Sequence, residues 1–174
     1  KLINQQTIGA SLGKESLQKT VFAGLVGTLL VMIFMILYYG GFGLVASLAL
    51  IIYTLLTLSV FKIFGITMTL AGIAGLILSI GMAVDANILV FERRKEEIKK
   101  GVSRVSATEE GFRRAWPSIR DSNITTIITA LVLYYLTTGF VKGFALSLLI
   151  GVLMSMFSAI TVSRALLRTF IKNA

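Results

Sequence analysis

Five apolar runs divide this chain, at about residues 20–39, 44–64, 68–91, 123–138 and 143–166. A helix needs about 20 such residues to cross the ~30 Å hydrocarbon core of a bilayer. The runs are continuous and do not alternate with polar residues, which argues against the strands of a membrane barrel. The pattern therefore predicts an all-α membrane protein with five transmembrane helices. Gly40-Gly41-Phe42-Gly43 and Gly65 to Thr67 are short turns, so consecutive helices are expected to be antiparallel neighbours. The first run ends in Tyr38 and Tyr39, which suit the headgroup level. It begins only at residue 20 and has no small-residue cleavage pattern after it, so a secretory signal peptide is not expected.

Composition sharpens this picture. Apolar types make up 56% of the 174 residues and charged types 14%, against roughly 45–50% and about 25% in a soluble domain. Mean hydropathy is +0.88. A disordered chain is excluded, and Cys 0 excludes a disulfide scaffold. The net charge of +9 would suggest nucleic acid in a soluble chain. Here the charges lie between apolar runs, so they report membrane orientation and no nucleic-acid partner is expected. Without histidine or cysteine, the usual ligands of zinc and haem are missing, and no cofactor or metal site is expected. GxxxxGK[ST] does not occur either, so no ATP motif is present.

Nine basic residues fall between Arg93 and Arg120, and Arg164, Arg168 and Lys172 follow at the C-terminal end. The other side receives five: Lys1, Lys14, Lys19, Lys62 and Lys142. The positive-inside rule places loop 92–122 and the C-terminus in the cytoplasm. Five spans then leave residues 1–19 outside. That polar segment is expected to be the tail of a larger extracytoplasmic domain, and the chain a piece of a longer protein.

Within the loop, Glu92 to Lys100 is expected to continue the third helix and stop near Gly101, with Arg93–Glu97 and Glu96–Lys100 as i,i+4 pairs. Ser106 with Glu109 three residues on matches a capping box for a second short helix to Ala115. Phe112 and Trp116 could dock into the interface, and Trp116-Pro117 is expected to break the run. These two interfacial helices would rest on anionic lipid through their basic side chains, or offer a docking surface to a cytoplasmic partner.

Asp85 is the acid within the third run. Such a group costs about 2.5–3.5 kcal/mol on insertion scales, so it needs a partner, water or a proton. It lies roughly 9 Å inside Phe91 by helical rise. Gly81 and Ala74 share its face, and Gly72, Gly75 and Ser79 widen a strip of small residues that lets helices approach. Asp85 is therefore expected to face protein. Asn87 lies two residues on, at a different azimuth. On the fourth run Ser122, Thr126 and Thr129 share a face, with Asn123 and Thr125 beside them, and Asp121 could cap its start. On the fifth run Ser147, Gly151, Ser155 and Ala159 recur every four residues, a seam for close packing. Asp85 reads either as a packing acid or as a titrating site. No basic residue of the spans lies at its depth, so a cation would have to come from another subunit.

The run Gly81-Met82-Ala83-Val84-Asp85-Ala86-Asn87-Ile88-Leu89-Val90-Phe91-Glu92-Arg93 resembles the signature of the SecD family of bacterial protein-export subunits. Thr7-Ile8-Gly9-Ala10-Ser11-Leu12-Gly13, Asp121-Ser122-Asn123-Ile124-Thr125-Thr126 and Val141-Lys142-Gly143-Phe144-Ala145 resemble further family stretches in the same order. Ser122 stands where a small apolar residue is expected; the sister subunit SecF fits less well.

The resemblance implies a six-helix half of the RND superfamily, with one helix and the external domain preceding residue 1. It also implies a bacterial inner (plasma) membrane location and proton-driven late steps of protein export. The proton path would use Asp85, with Asn87, Asn123 and Thr126 near it; Gly72, Gly75, Gly81, Gly151 and Ser155 would serve helix packing. The implied partners are SecF, fused or separate, the SecYEG channel, YajC, YidC and the exported preprotein. No covalent catalysis is implied. The rival readings are an RND-type exporter of small molecules or ions and a passive scaffold for export or insertion complexes.

Overall fold

The structure, a computed structural model, describes residues 10–173, with side chains from 13 to 169. Part of the segment read as an external tail, residues 1–9, lies outside the described residues. Six α-helices follow one another: α1 (Ala10–Tyr39), α2 (Gly41–Ile63), α3 (Leu70–Lys99), α4 (Arg104–Leu136), α5 (Phe140–Ser158) and α6 (Arg164–Asn173). A five-residue π turn, Ala159–Ser163, joins α5 to α6. No strand occurs among the described residues.

The turns are as tight as their residues permit. Gly40 and Gly139 precede α2 and α5 with nearly the same backbone, φ 57, ψ −127 and φ 61, ψ −128. A side chain at Cβ disfavours that region, and glycine enters it freely. The α1–α2 turn brings Gly43 so close to α1 that a Cβ there would lie 1.9 Å from the Met35 carbonyl oxygen. At α3 the Thr69 hydroxyl accepts a hydrogen bond from the Gly72 amide at 3.0 Å and caps the first turn.

α3 is the central helix and touches α1, α2, α4, α5 and the π turn. Its contacts fix every direction. Gly72 lies beside Gly143 and Ser147, Gly75 beside Phe144 and Leu148, and Gly151 beside Ser79. The numbers rise together, so α3 and α5 are parallel. Gly24 meets Ile77 and the Tyr39 ring meets Phe91, so α1 also runs with α3. α2 runs against α3, since Phe42 meets Phe91 and Tyr53 meets Ser79. α4 returns too: Gly111 lies on Arg94, and Ile119, Ser122 and Asn123 lie beside Asp85. It carries the chain back along α3 to reach the start of α5.

The bundle is apolar outside and holds hydroxyls inside. Leu25, Leu30, Leu37, Leu55 and Leu136 are exposed, whereas Ser79, Thr57, Ser147 and Ser155 are buried. α1, α2, α3 and the stretch Phe140–Thr169 are each long and apolar enough to cross a bilayer. In that solvent, exposed leucines carry no cost, and the hydroxyls of Thr57, Ser79 and Ser155 donate to carbonyls of their own helices. The protein is thus a multi-pass membrane protein.

Loop 92–122 departs from expectation in its second half. It holds no separate interfacial helices. As expected, α3 runs unbroken through Glu92 to Lys99, and Gly101 turns the chain at φ 85. α4 then runs for 33 residues straight through Pro117. The proline withdraws one amide from the ladder. Pro117 and Arg113, whose carbonyl loses its partner, are both exposed, so water or a headgroup can replace the bond. The cap is Ser103, which accepts from the Ser106 amide at 3.3 Å, and not the Ser106–Glu109 box. The ion pairs close at i,i+3, Arg93–Glu96 and Glu97–Lys100, each at 2.7 Å.

Gly43→Ala is expected to destabilise the bundle by at least about 1–3 kcal/mol, the usual cost of overpacking. Gly27→Ala, whose added Cβ meets nothing within 4 Å, should change stability by no more than about 0.5 kcal/mol. Unfolding by denaturing detergent in mixed micelles, followed by circular dichroism, compares the two.

Candidate functional site

α3 presents two unlike faces. Its inner face carries Gly72, Gly75, Ser79, Ala83 and Ala86, all buried. Asp85 points the other way and is exposed at the surface of the bundle, with Leu78 and Gly81 beside it. A cleft of about 50 Å³ opens at Asp85, between Leu89 of α3 and Ile119, Ser122 and Asn123 of α4. Among the described residues Asp85 makes no hydrogen bond and no ion pair.

No helix of this chain among the described residues covers that face of Asp85. A Cβ on Gly81 would meet nothing within 4 Å, so Gly81 packs against no helix here. Of the residues grouped with Asp85, Asn123 is 8% exposed and shares its cleft. Asn87 is buried on the inner side of α3. Thr126 lies one turn beyond the cleft, its hydroxyl donating to the Ser122 carbonyl at 3.1 Å. Gly72, Gly75, Gly151 and Ser155 all sit buried between helices. A Cβ on Gly75 would lie 2.6 Å from the Phe144 carbonyl oxygen, and one on Gly151 2.2 Å from Ser79 Oγ.

The sequence reading missed a polar node in the core. Tyr53, 1% exposed, shares a hydrogen bond with Ser79 Oγ at 2.8 Å and donates to the Gly151 carbonyl at 3.2 Å. It ties α2 to both α3 and α5. A lone tyrosine inside an apolar run was the available signal, since a buried phenol needs a partner.

A second missed cluster closes the basic end. The Glu109 carboxylate of α4 accepts from Arg164 and Arg168, each at 2.5 Å, and so clasps α6. The Arg168 hydrogen bond, then that of Arg164, holds the Glu109 carboxyl down at about 2. Glu97, bonded to Lys100 and Arg114, is also held below the usual carboxylate range. Arg94 lies 4.0 Å over the Phe42 ring and donates to Thr108 at 2.9 Å, joining the α1–α2 turn to the α3–α4 hairpin.

The family described as protein export membrane protein SecD/SecF, C-terminal, matches residues 1–173. The chain belongs to this SecD/SecF family. Its relatives place it on the SecD side. A protein translocase subunit SecD of a Synechocystis species is 52% identical over 167 residues, which are 96% of this chain and 35% of that protein. One from Thermobaculum terrenum is 50% identical and is matched over 33% of its length. The chain thus spans about a third of these SecD relatives. Among solved structures, SecDF from Thermus thermophilus, a translocon-associated membrane protein, superposes with a TM-score of 0.93 at 43% identity. That likeness covers 97% of this chain and 24% of that one. SecDF in a super-membrane-facing form gives a TM-score of 0.86 at 43% identity, over 93% and 22% of the two chains.

The clasp on Glu109 should depend on pH. A carboxyl lowered in the folded state adds stability that is fully present above its ordinary value of 4.5 and is lost as pH falls towards about 2. Amide exchange of α6 should therefore be flat with pH above that window, after correction for intrinsic rates, and accelerate inside it. Glu109→Gln should exchange fast at every pH and lose the dependence.

Proposed function

We propose that this chain is the membrane section of a protein-export subunit in which Asp85 takes up and releases protons. The carrying observation is an acid that, among the described residues, has no hydrogen-bond or ion-pair partner and lies on the outer face of an apolar bundle. Ionised against lipid, it would cost about 2.5–3.5 kcal/mol on insertion scales. The face is therefore covered by protein or reached by water in the complete assembly. The open cleft with Ser122 and Asn123 leaves room for such access, and Gly81 beside it leaves room for another helix.

In this reading the covering surface is SecF, fused or separate, which supplies the charge that this bundle lacks at that depth. Protonation changes the attraction between the two halves and biases their packing between two arrangements. The external domain passes that motion to the emerging preprotein at the SecYEG channel, with YajC and YidC as further partners. Proton flow down its gradient supplies the energy, and no bond is made or broken covalently.

The directions of the helices support five spans. α3 and α5 are parallel, so α4 crosses the same thickness in reverse, although its polar half keeps its mean hydropathy low. The turns Tyr39–Gly41, next to Phe91, and Lys99–Arg104 then share the side of the basic residues, which we place in the cytoplasm. The native chain has no cysteine, so single-cysteine variants report the topology directly. In sealed inside-out vesicles, which expose the cytoplasmic face, a membrane-impermeant thiol reagent should label Ser103→Cys and spare Thr138→Cys.

The mechanism itself is tested in the full-length protein. Asp85→Asn should abolish the proton-gradient-dependent part of export, while Asp121→Asn, at an exposed residue paired with Arg120, leaves it unchanged. Export that stays gradient-dependent in Asp85→Asn would overturn the reading and leave a scaffold.

A further inference from the structure

A cleft of about 820 Å³ lies at the basic end, between α4 and the junction of the π turn with α6. That is the size of a small-molecule site. Its apolar wall is Val105, Phe112, Trp116 and Ile160, and its charged rim holds Arg113 and Arg164. Val105 is 63% exposed and Ile160 42%. Ile160 continues the outward apolar surface of α5 through Phe157 and Leu153, both about half exposed. The apolar wall is therefore continuous with the surface that the bundle turns to lipid.

The charges of the rim decide what the cleft can hold. Glu109 and Glu110 also line it, but neither is free. Glu109 is bound by Arg164 and Arg168, and Glu110 by Arg113 at 2.7 Å. Along the lining Arg113 and Arg164 balance Glu109 and Glu110, and Arg168, outside the lining but bonded to Glu109, adds one positive charge at its edge. Each guanidinium has five N–H donors, so donors remain after these pairs. Arg113 is well exposed, and Arg164 stands 5.9 Å from the Phe112 ring centroid. Trp116 supplies an amphipathic ring of the kind favoured at the headgroup level.

We propose that this cleft binds one anionic phospholipid of the cytoplasmic leaflet. Its phosphate sits against Arg113 and Arg164, and one acyl chain lies on Phe112, Trp116 and Ile160 and continues along Phe157. A zwitterionic lipid would bring a cation to an edge where Arg168 already adds positive charge. A cytoplasmic peptide has no reason to follow the wall down the lipid-facing side of α5. The site rests on the placement of the basic end at the cytoplasmic membrane surface, and not on proton coupling through Asp85.

Trp116 is the single tryptophan, so its fluorescence reads the cleft alone. The chain is reconstituted in phosphatidylcholine vesicles with increasing fractions of brominated phosphatidylglycerol or, separately, brominated phosphatidylcholine. Half-maximal quenching should need about fivefold less of the anionic lipid, the ratio that one basic side chain supports at a charged surface. Arg113→Gln and Arg164→Gln should each reduce that preference, and added inorganic phosphate should leave it intact. Should Arg164→Gln disturb the fold by circular dichroism, Arg113→Gln alone decides, since its ion pair with the neighbouring-turn Glu110 ties no two helices together. Equal quenching by the two lipids, or a preference unchanged in Arg113→Gln, would overturn the site. Relief of quenching by inorganic phosphate would overturn the lipid as its occupant. Absence of quenching by either lipid would overturn the interfacial placement as well as the site.

Discussion

The close parallel contact of α3 with α5 is the constraint on which this architecture depends. It exists because Gly72, Gly75 and Gly151 have no Cβ to hold the backbones apart. In lipid, helices gain little from hiding apolar surface, so close packing and interhelical hydrogen bonds must hold them together. The same closeness puts the Gly151 carbonyl within reach of Tyr53. It also fixes the return of α4, because two parallel helices joined through a third require that third to run the full distance back.

Much of this was legible in the residues. The apolar runs are long, and nothing but helix satisfies a backbone in hydrocarbon, so the helices and their order could be read directly. The four-residue seam on α5 was legible for the same reason: small residues at that spacing have few other uses. What could not be read was azimuth. Helical spacing placed Asp85 and Gly81 on one face, but it could not say whether a neighbour in this chain covers that face. Glycines that look alike along α3 therefore divide into buried contacts at 72 and 75 and an open surface at 81.

The second half of the loop was misread for a different reason. Local signals such as Trp116-Pro117 and the Ser106–Glu109 pair are real preferences of a fraction to a few kcal/mol. A long helix packed along α3 outweighs them, and Glu109 finds two guanidiniums in place of a backbone amide. Long-range partners of this kind lie 55 and 59 residues away, where no local rule reaches. The family likeness carries the comparison further along the chain, although the relatives extend well beyond it.

The π turn between α5 and α6 has a geometric meaning. Ser147, Gly151, Ser155, Ala159, Ser163 and Leu167 are all buried, an unbroken count by fours. An α-helix advances roughly 40° too far with each such step, so over this length a regular rod would rotate its stripe out into the oil. The wider turn at 159–163 takes up more residues per revolution and sets the stripe back in phase. Because Arg164 and Arg168 each follow a stripe residue by one, the same correction aims them together at Glu109.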